Sequence, residues 1–228
     1  KKQAPVAAIV GYTNAGKSTL LNTLTGAGVL QEDKLFATLD PPTRMLPLSG
    51  GQQILLTDTV GFINKLPHHL IEAFRSTLEE ARYADVILHV ADAANPRMEQ
   101  QMHVVYETLA DLGISDKTVI TLFNKADLLE SRPRLHDFKA DHTLFISAKT
   151  GQGLPELLEL LERLLRERQV LIERVYPYNR AGVIQLIRAH GQLLEEDYRT
   201  EGIYVKAYVP MEIYGSVTEG ADVPVPEK

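Results

Sequence analysis

Gly11-Tyr12-Thr13-Asn14-Ala15-Gly16-Lys17-Ser18 has the spacing G-x-x-x-x-G-K-[S/T], and it restricts the fold more than any other segment. It follows the apolar run Val6-Ala7-Ala8-Ile9-Val10 and leads into Thr19-Leu20-Leu21-Asn22-Thr23-Leu24, which has helical spacing. Strand, loop and helix in that order gather backbone N–H groups and a helix N-terminus around one point, which favours an anion there. The glycines let the loop turn its donors inward. Lys17 supplies a point charge for the outer phosphates, and the Ser18 hydroxyl is the expected Mg²⁺ ligand. The loop alone therefore predicts a phosphate-binding α/β domain.

The rest of the sequence extends that pattern. Residues 26–43 form a long irregular loop with Pro41-Pro42 near its end. Arg44–Ser49 and Gln53–Asp58 flank Gly50-Gly51 and read as a hairpin. Leu70, Phe74, Leu78 and Ala81 repeat at three and four residues, predicting a helix over His68–Ala84. Strands are expected at Asp85–Ala91, Lys117–Phe123 and Thr143–Ile146, and helices at Pro96–Leu112 and from Gly153-Leu154-Pro155 to about Arg168. Alternating strands and helices predict an α/β fold of the P-loop NTPase (Ras-like) kind over residues 1–168, a mostly parallel sheet with helices on both faces. Residues 169–228 change character and predict a small α+β domain. Its expected elements are a strand at Val170–Tyr178, a helix at Arg180–His190 and a strand at Ile203–Val209, with Glu195-Glu196-Asp197 and Gly202 in the turn between the last two.

Bulk composition excludes several classes. With 228 residues, 44% hydrophobic and 24% charged, the chain has material for a packed core. A net charge of −6 lacks the basic excess of a dedicated nucleic-acid binder. There is no cysteine, hence no disulfide or thiolate metal site. No apolar run is long enough to span a bilayer, and no signal-peptide core is visible, so a soluble, cytoplasmic protein is expected. It is expected to be a monomer.

Three further motifs choose the ligand. Asp58-Thr59-Val60-Gly61 closes a strand: the Asp58 carboxylate can reach Mg²⁺ through water, and the Gly61 N–H can reach the terminal phosphate. Asn124-Lys125-Ala126-Asp127 closes another. A carboxylate at Asp127 faces two adjacent donors on guanine, N1–H and the exocyclic amine, and repels adenine. Asn124 would tie this loop to the phosphate loop, and the Lys125 stem would lie along the base. After the next strand, Ser147-Ala148-Lys149 offers a backbone N–H to the guanine carbonyl. In this order the motifs predict GTP and GDP as ligands.

The order and spacing resemble the translation-factor-related class of small GTPases. The narrower resemblance is to the HflX family. It is carried by Gly11–Thr19, by Lys34-Leu35-Phe36-Ala37-Thr38-Leu39-Asp40-Pro41, by Asp58-Thr59-Val60-Gly61-Phe62-Ile63 and by Leu66–Glu80. The resemblance covers about residues 4–215. It implies a GTPase that binds the large (50S) ribosomal subunit, its rRNA and proteins, and helps to split stalled ribosomes. It implies that Thr38, within a nucleotide-contacting segment Phe36–Asp40, joins Ser18 and Asp58 on Mg²⁺. Lys17, Thr38, Gly61 and Asn14 would carry the catalytic work. The sequence departs from the family twice. The family has an N-terminal domain and helical linker before the GTPase core, whereas here the first strand lies within a few residues of the start, as in an excised piece or a natural lack; 50S binding would then need that domain. Pro42 also stands where the family usually has threonine.

Related GTPases place a glutamine after D-x-x-G to orient the attacking water; here that residue is Phe62, which can neither donate nor accept that bond. Phe62 also suits packing under the following helix. In relatives with the same loop, asparagine at the Asn14 position helps hold K⁺ in place of an arginine finger, so the resemblance implies K⁺; bracing of the loop by Asn14 is the plainer alternative. His68-His69 lacks further ligands at metal spacing and reads as a helix start. Two other readings stay open: a tRNA-modification or ribosome-assembly GTPase, and a GTP-gated binding module with negligible turnover.

Overall fold

The computed structural model describes residues 4–26, 43–49, 52–59, 61, 75, 78–131 and 133–219. Two compact units emerge. One comprises Pro5–Leu46 and Gln53–Leu158, the other Pro47–Gln52 and the residues from Glu159 onward.

The first unit holds a six-stranded sheet in the order β2-β3-β1-β4-β5-β6. Its strands are β1 (Val6–Gly11), β2 (Thr43–Pro47), β3 (Gln53–Asp58), β4 (Val86–Asp92), β5 (Thr118–Asn124) and β6 (His142–Phe145). The pairs β1–β3, β1–β4, β4–β5 and β5–β6 are all parallel. The residues between β2 and β3 are too few for a parallel crossover, so β2 runs antiparallel at the edge, as a hairpin requires. β1 and β4 are mostly apolar and almost wholly buried, as central parallel strands are, with His89 the buried polar side chain of β4.

Helix α1 (Lys17–Thr25) contacts β1 and β3. Helix α2 (Met98–Asp111) lays Val105 and Leu109 onto Ala8, Val10 and Ile87, and Leu78, Ala81 and Ala84 join the same cluster. The helix expected up to Ala84 finishes as a 3-10 turn, Glu80–Tyr83; the Arg82 guanidinium donates to the Leu112 carbonyl and so fastens the turn to the end of α2. Helix α3 (Leu154–Glu167) carries its leucines on one stripe; the residues from Glu159 on group with the second unit.

The second unit contains an antiparallel sheet in the order β7-β9-β8, built from β7 (Gln169–Tyr176), β8 (Gln192–Tyr198) and β9 (Ile203–Pro210). Helices α4 (Ala181–His190) and α5 (Met211–Thr218) close a core of Ile172, Tyr176, Ile184, Ile187, Val205, Ala207, Val209 and Val217. One expectation is overturned here. Glu195-Glu196-Asp197 is not a turn but the middle of β8, paired with Lys206, Val205 and Tyr204. Acidic residues mark turns only by tendency. On an edge strand they stay in solvent and find cations: Arg188 pairs with Glu196 and Arg199 with Asp197. α5 had no counterpart in the sequence reading. Among the described residues no helix is long and apolar enough to cross a membrane.

Candidate functional site

Parallel pairing brings the predicted motifs to one rim of the large sheet. Ile9 pairs with Asp58, Gly11 with Val90 and Asp92 with Asn124, so the C-terminal ends of four strands lie side by side. This is where open α/β sheets carry their ligands.

The phosphate loop is held by its own backbone and by close packing. Ala15 N–H donates to the Tyr12 carbonyl at 3.1 Å, and Leu20 N–H to that of Gly16 at 3.0 Å. Asn14 and Gly16 both have positive φ, 65° and 105°. Asparagine tolerates that region better than most side chains, and glycine adopts it without strain. A side chain at Gly11 would place its Cβ 2.5 Å from the Val90 carbonyl oxygen, so the loop can leave β1 only through a glycine.

Lys17 and Asp58 are the two buried charged residues of the site. Burial pushes the Lys17 ammonium down from its ordinary pKa, opposed by Asp58. It pushes the Asp58 carboxyl up, opposed by Lys17 and by the bond from Ser18. Ser18 Oγ donates to Asp58 Oδ2 at 3.1 Å. Asp58 Oδ1 is buried without a partner among the described residues. Thr59 anchors the motif, its N–H and its hydroxyl both reaching the Ile9 carbonyl. Gly61 lies against Thr13 and the Lys17 ammonium: a Cβ there would stand 2.9 Å from Thr13 Oγ1 and 3.2 Å from Lys17 Nζ.

The base-side motif is clasped to the phosphate loop. Asn124 Nδ2 donates to the Ala15 carbonyl at 2.9 Å, and its Oδ1 accepts the Ala148 N–H at 2.9 Å. One amide thus ties three motifs together. Lys125, at φ 64°, sends its ammonium to the Asn14 carbonyl (3.0 Å) and to Asp92 Oδ2 (2.8 Å). Asp127 lies in a short 3-10 turn, Ala126–Leu128, and is exposed. Ser147 and Ala148 are buried and Lys149 is exposed; Thr23 of α1 donates to the Ala148 carbonyl at 2.7 Å. Phe36, Ala37, Thr38, Leu39, Asp40, Val60, Phe62 and His68-His69 lie outside the described residues.

Sequence reading missed Asp92 and Thr23. Thr23 had no signal beyond helix periodicity. Asp92 had one: a carboxylate ending a buried strand of a parallel sheet, at the ligand-bearing edge.

Among known proteins, residues 6–125 match a family model described as 50S ribosome-binding GTPase. A protein named GTPase HflX from Lacrimispora saccharolytica is 65% identical over 222 residues, 97% of this chain and 52% of that protein. The chain spans about half the length of the curated relatives it matches. A GTP-binding protein from Sulfolobus solfataricus, solved with GDP, superposes with a TM-score of 0.59 at 29% identity, covering 70% of this chain and 52% of that one. Era, solved with MgGDPNP and a segment of 16S ribosomal RNA, gives 0.56 at 28% identity, over 72% of this chain and 57% of that one.

Proposed function

From a chain that belongs to the HflX family of GTPases, we propose that it binds GTP, hydrolyses it to GDP and phosphate, and serves a factor that acts on the 50S ribosomal subunit to split or rescue stalled ribosomes. The observation that carries the nucleotide reading is the Asn124 clasp, which joins the base-side motif to the phosphate loop. The ribosomal role rests on the family and on relatives such as Era, solved with ribosomal RNA.

In this reading the loop amides of Gly11–Ser18 and the Lys17 ammonium hold the β- and γ-phosphates. Asp127 accepts the guanine N1–H and amine, and the Ser147–Lys149 turn offers an N–H to the guanine carbonyl. The Ser18 hydroxyl and the Asp58 carboxylate, directly or through water, form a hard-oxygen donor set that fits Mg²⁺, with Thr38 as a third donor. The unpartnered Asp58 Oδ1 supports that fit, since a buried orphan oxygen costs free energy unless something positive meets it. Mg²⁺, when bound, neutralises charge on the β- and γ-oxygens. Phosphates above Lys17 favour the charged ammonium that burial disfavours, so binding and ionisation reinforce one another. Gly61 N–H meets the γ-phosphate. Asn14, exposed on the loop, offers an amide oxygen of the kind K⁺ takes.

Phe62 leaves water positioning to a partner or to K⁺, so slow turnover alone and faster turnover on the ribosome are expected. Single-turnover GTP hydrolysis with and without 50S subunits tests this, with sedimentation in the GTP-analogue state. The longer Lacrimispora protein serves as positive control. Co-sedimentation of neither protein in any nucleotide state defeats the ribosomal reading.

A further inference from the structure

Asp92 belongs to none of the predicted motifs, yet its carboxylate is fully committed. Oδ1 accepts the Ala94 N–H at 2.9 Å, which fixes the rotamer at the end of β4. Oδ2 accepts the Lys125 ammonium at 2.8 Å. The Asp92 side chain is only 14% exposed, which separates this pair from surface ion pairs of negligible worth. Asp92 also sits directly beside Asn124 in the β4–β5 ladder, and the Ala93 N–H donates to the Asn124 carbonyl at 2.9 Å. The end of β4 therefore holds the base-side motif by backbone and by side chain.

Lys125 passes this hold on. Its ammonium touches the Asn14 carbonyl while Asn124 touches that of Ala15, so two successive phosphate-loop carbonyls are pulled toward the base-side motif. Asn14 and Lys125 are the two described non-glycine residues at positive φ, a conformation that persists only when its surroundings over-determine it. An ammonium shared by one neutral carbonyl and solvent would swing freely. The Asp92 carboxylate gives it a fixed charged partner and one geometry.

We propose that Asp92 is a positioning residue for guanine nucleotide retention: it orients Lys125 so that the ammonium locks the Asn14 carbonyl and holds the phosphate loop in its binding shape. This rests on the nucleotide-binding reading above. Asp92 acts through Lys125 alone, since its other oxygen is taken by the Ala94 N–H.

The test is the dissociation rate of a fluorescent GDP from the purified chain and from Asp92→Ala, Asp92→Asn, Lys125→Ala and the Asp92→Ala/Lys125→Ala double variant. Asp92→Ala is expected to release GDP about tenfold faster, the size of one charge-assisted hydrogen bond. Asp92→Asn keeps one oxygen for the Ala94 N–H but turns an NH₂ donor toward the Lys125 ammonium, so it should release GDP nearly as fast as Asp92→Ala. The double variant should release no faster than Lys125→Ala, because the Asp92 effect runs through the ammonium. If Asp92 only braced the local turn through the Ala94 N–H, its effect would multiply with that of Lys125→Ala and Asp92→Asn would release GDP at the wild-type rate; that result overturns the proposal. Wild-type release by Asp92→Ala does so too. Should Asp92→Ala not fold, the near-isosteric Asp92→Asn carries the comparison, paired with the double variant Asp92→Asn/Lys125→Ala. A wild-type chain that retains no guanine nucleotide overturns the functional reading itself and this proposal with it.

Discussion

A Cβ on Gly16 would fall 2.2 Å from Asn124 Nδ2, so the phosphate loop and the base-side motif occupy adjoining space that only a glycine leaves open. The same Asn124 amide donates to the Ala15 carbonyl, one residue before Gly16. Gly16→Ala must displace that amide and also place a side chain at φ 105°. The left-handed conformation costs about 1–2 kcal/mol, and the broken bond about 1–3 kcal/mol. Titration with fluorescent GDP should show affinity down by roughly 100-fold, taking about 1.4 kcal/mol per tenfold. Wild-type affinity would mean that the contact is not part of the binding shape.

Asp127 gives a test of base choice. Replacing its carboxylate by an amide, Asp127→Asn, removes both charge-assisted acceptors for guanine and offers a donor to the C2 carbonyl of xanthine. GTP affinity should fall by about 100-fold or more, at roughly 1.5–3 kcal/mol for each bond to a charged group. Affinity for xanthosine triphosphate should rise. Competition binding reads both at once, and an unchanged GTP preference removes Asp127 from base recognition.

Steady-state turnover in KCl against NaCl at equal ionic strength addresses Asn14. Hydrolysis should be faster in KCl, and Asn14→Ala should erase the difference. Equal wild-type rates in the two salts would leave Asn14 as a brace for the loop.

His89 is fully buried on β4, across the ladder from Val10. Burial lowers its pKa to about 4 from an ordinary 6.5, opposed by Asp137. The folded state therefore holds it neutral where the unfolded chain would bind a proton. Its contribution is complete above pH 6.5 and is lost as pH falls from 6.5 toward 4, by about 1.4 kcal/mol per unit. Below that the folded state is protonated too, and the loss stops. Urea unfolding of His89→Leu between pH 4 and 6.5 should show a slope shallower by that amount. Parallel slopes for wild type and variant would contradict the assignment.

The large sheet and its site were legible because their signals are local and strict. Gly11–Ser18 admits one strand–loop–helix arrangement, and Asn124–Asp127 closes a continuous apolar strand, so parallel pairing brings them together. Lys125 was placed along the base from its motif, but its ammonium partners, Asn14 and Asp92, are 111 and 33 positions away in sequence and leave no local pattern. β8 was misread for the opposite reason. Its composition, Glu195-Glu196-Asp197, carries a strong local turn signal, while the force that straightens it is cross-strand pairing with β9 together with cations at Arg188 and Arg199. Local propensity loses to the ladder there.

That edge has a colloidal consequence. Among the described residues the outer side of β8 is the edge of its sheet, with backbone donors and acceptors that a second sheet could extend, and the strand carries acidic side chains and no proline. A guard made of charge depends on the medium. In dilute buffer two copies meeting along β8 bring like carboxylates face to face, on chains that already carry −6 each. As salt shortens the screening length that repulsion fades. Ionic strength thus sets how strongly like charge keeps a second copy away from β8.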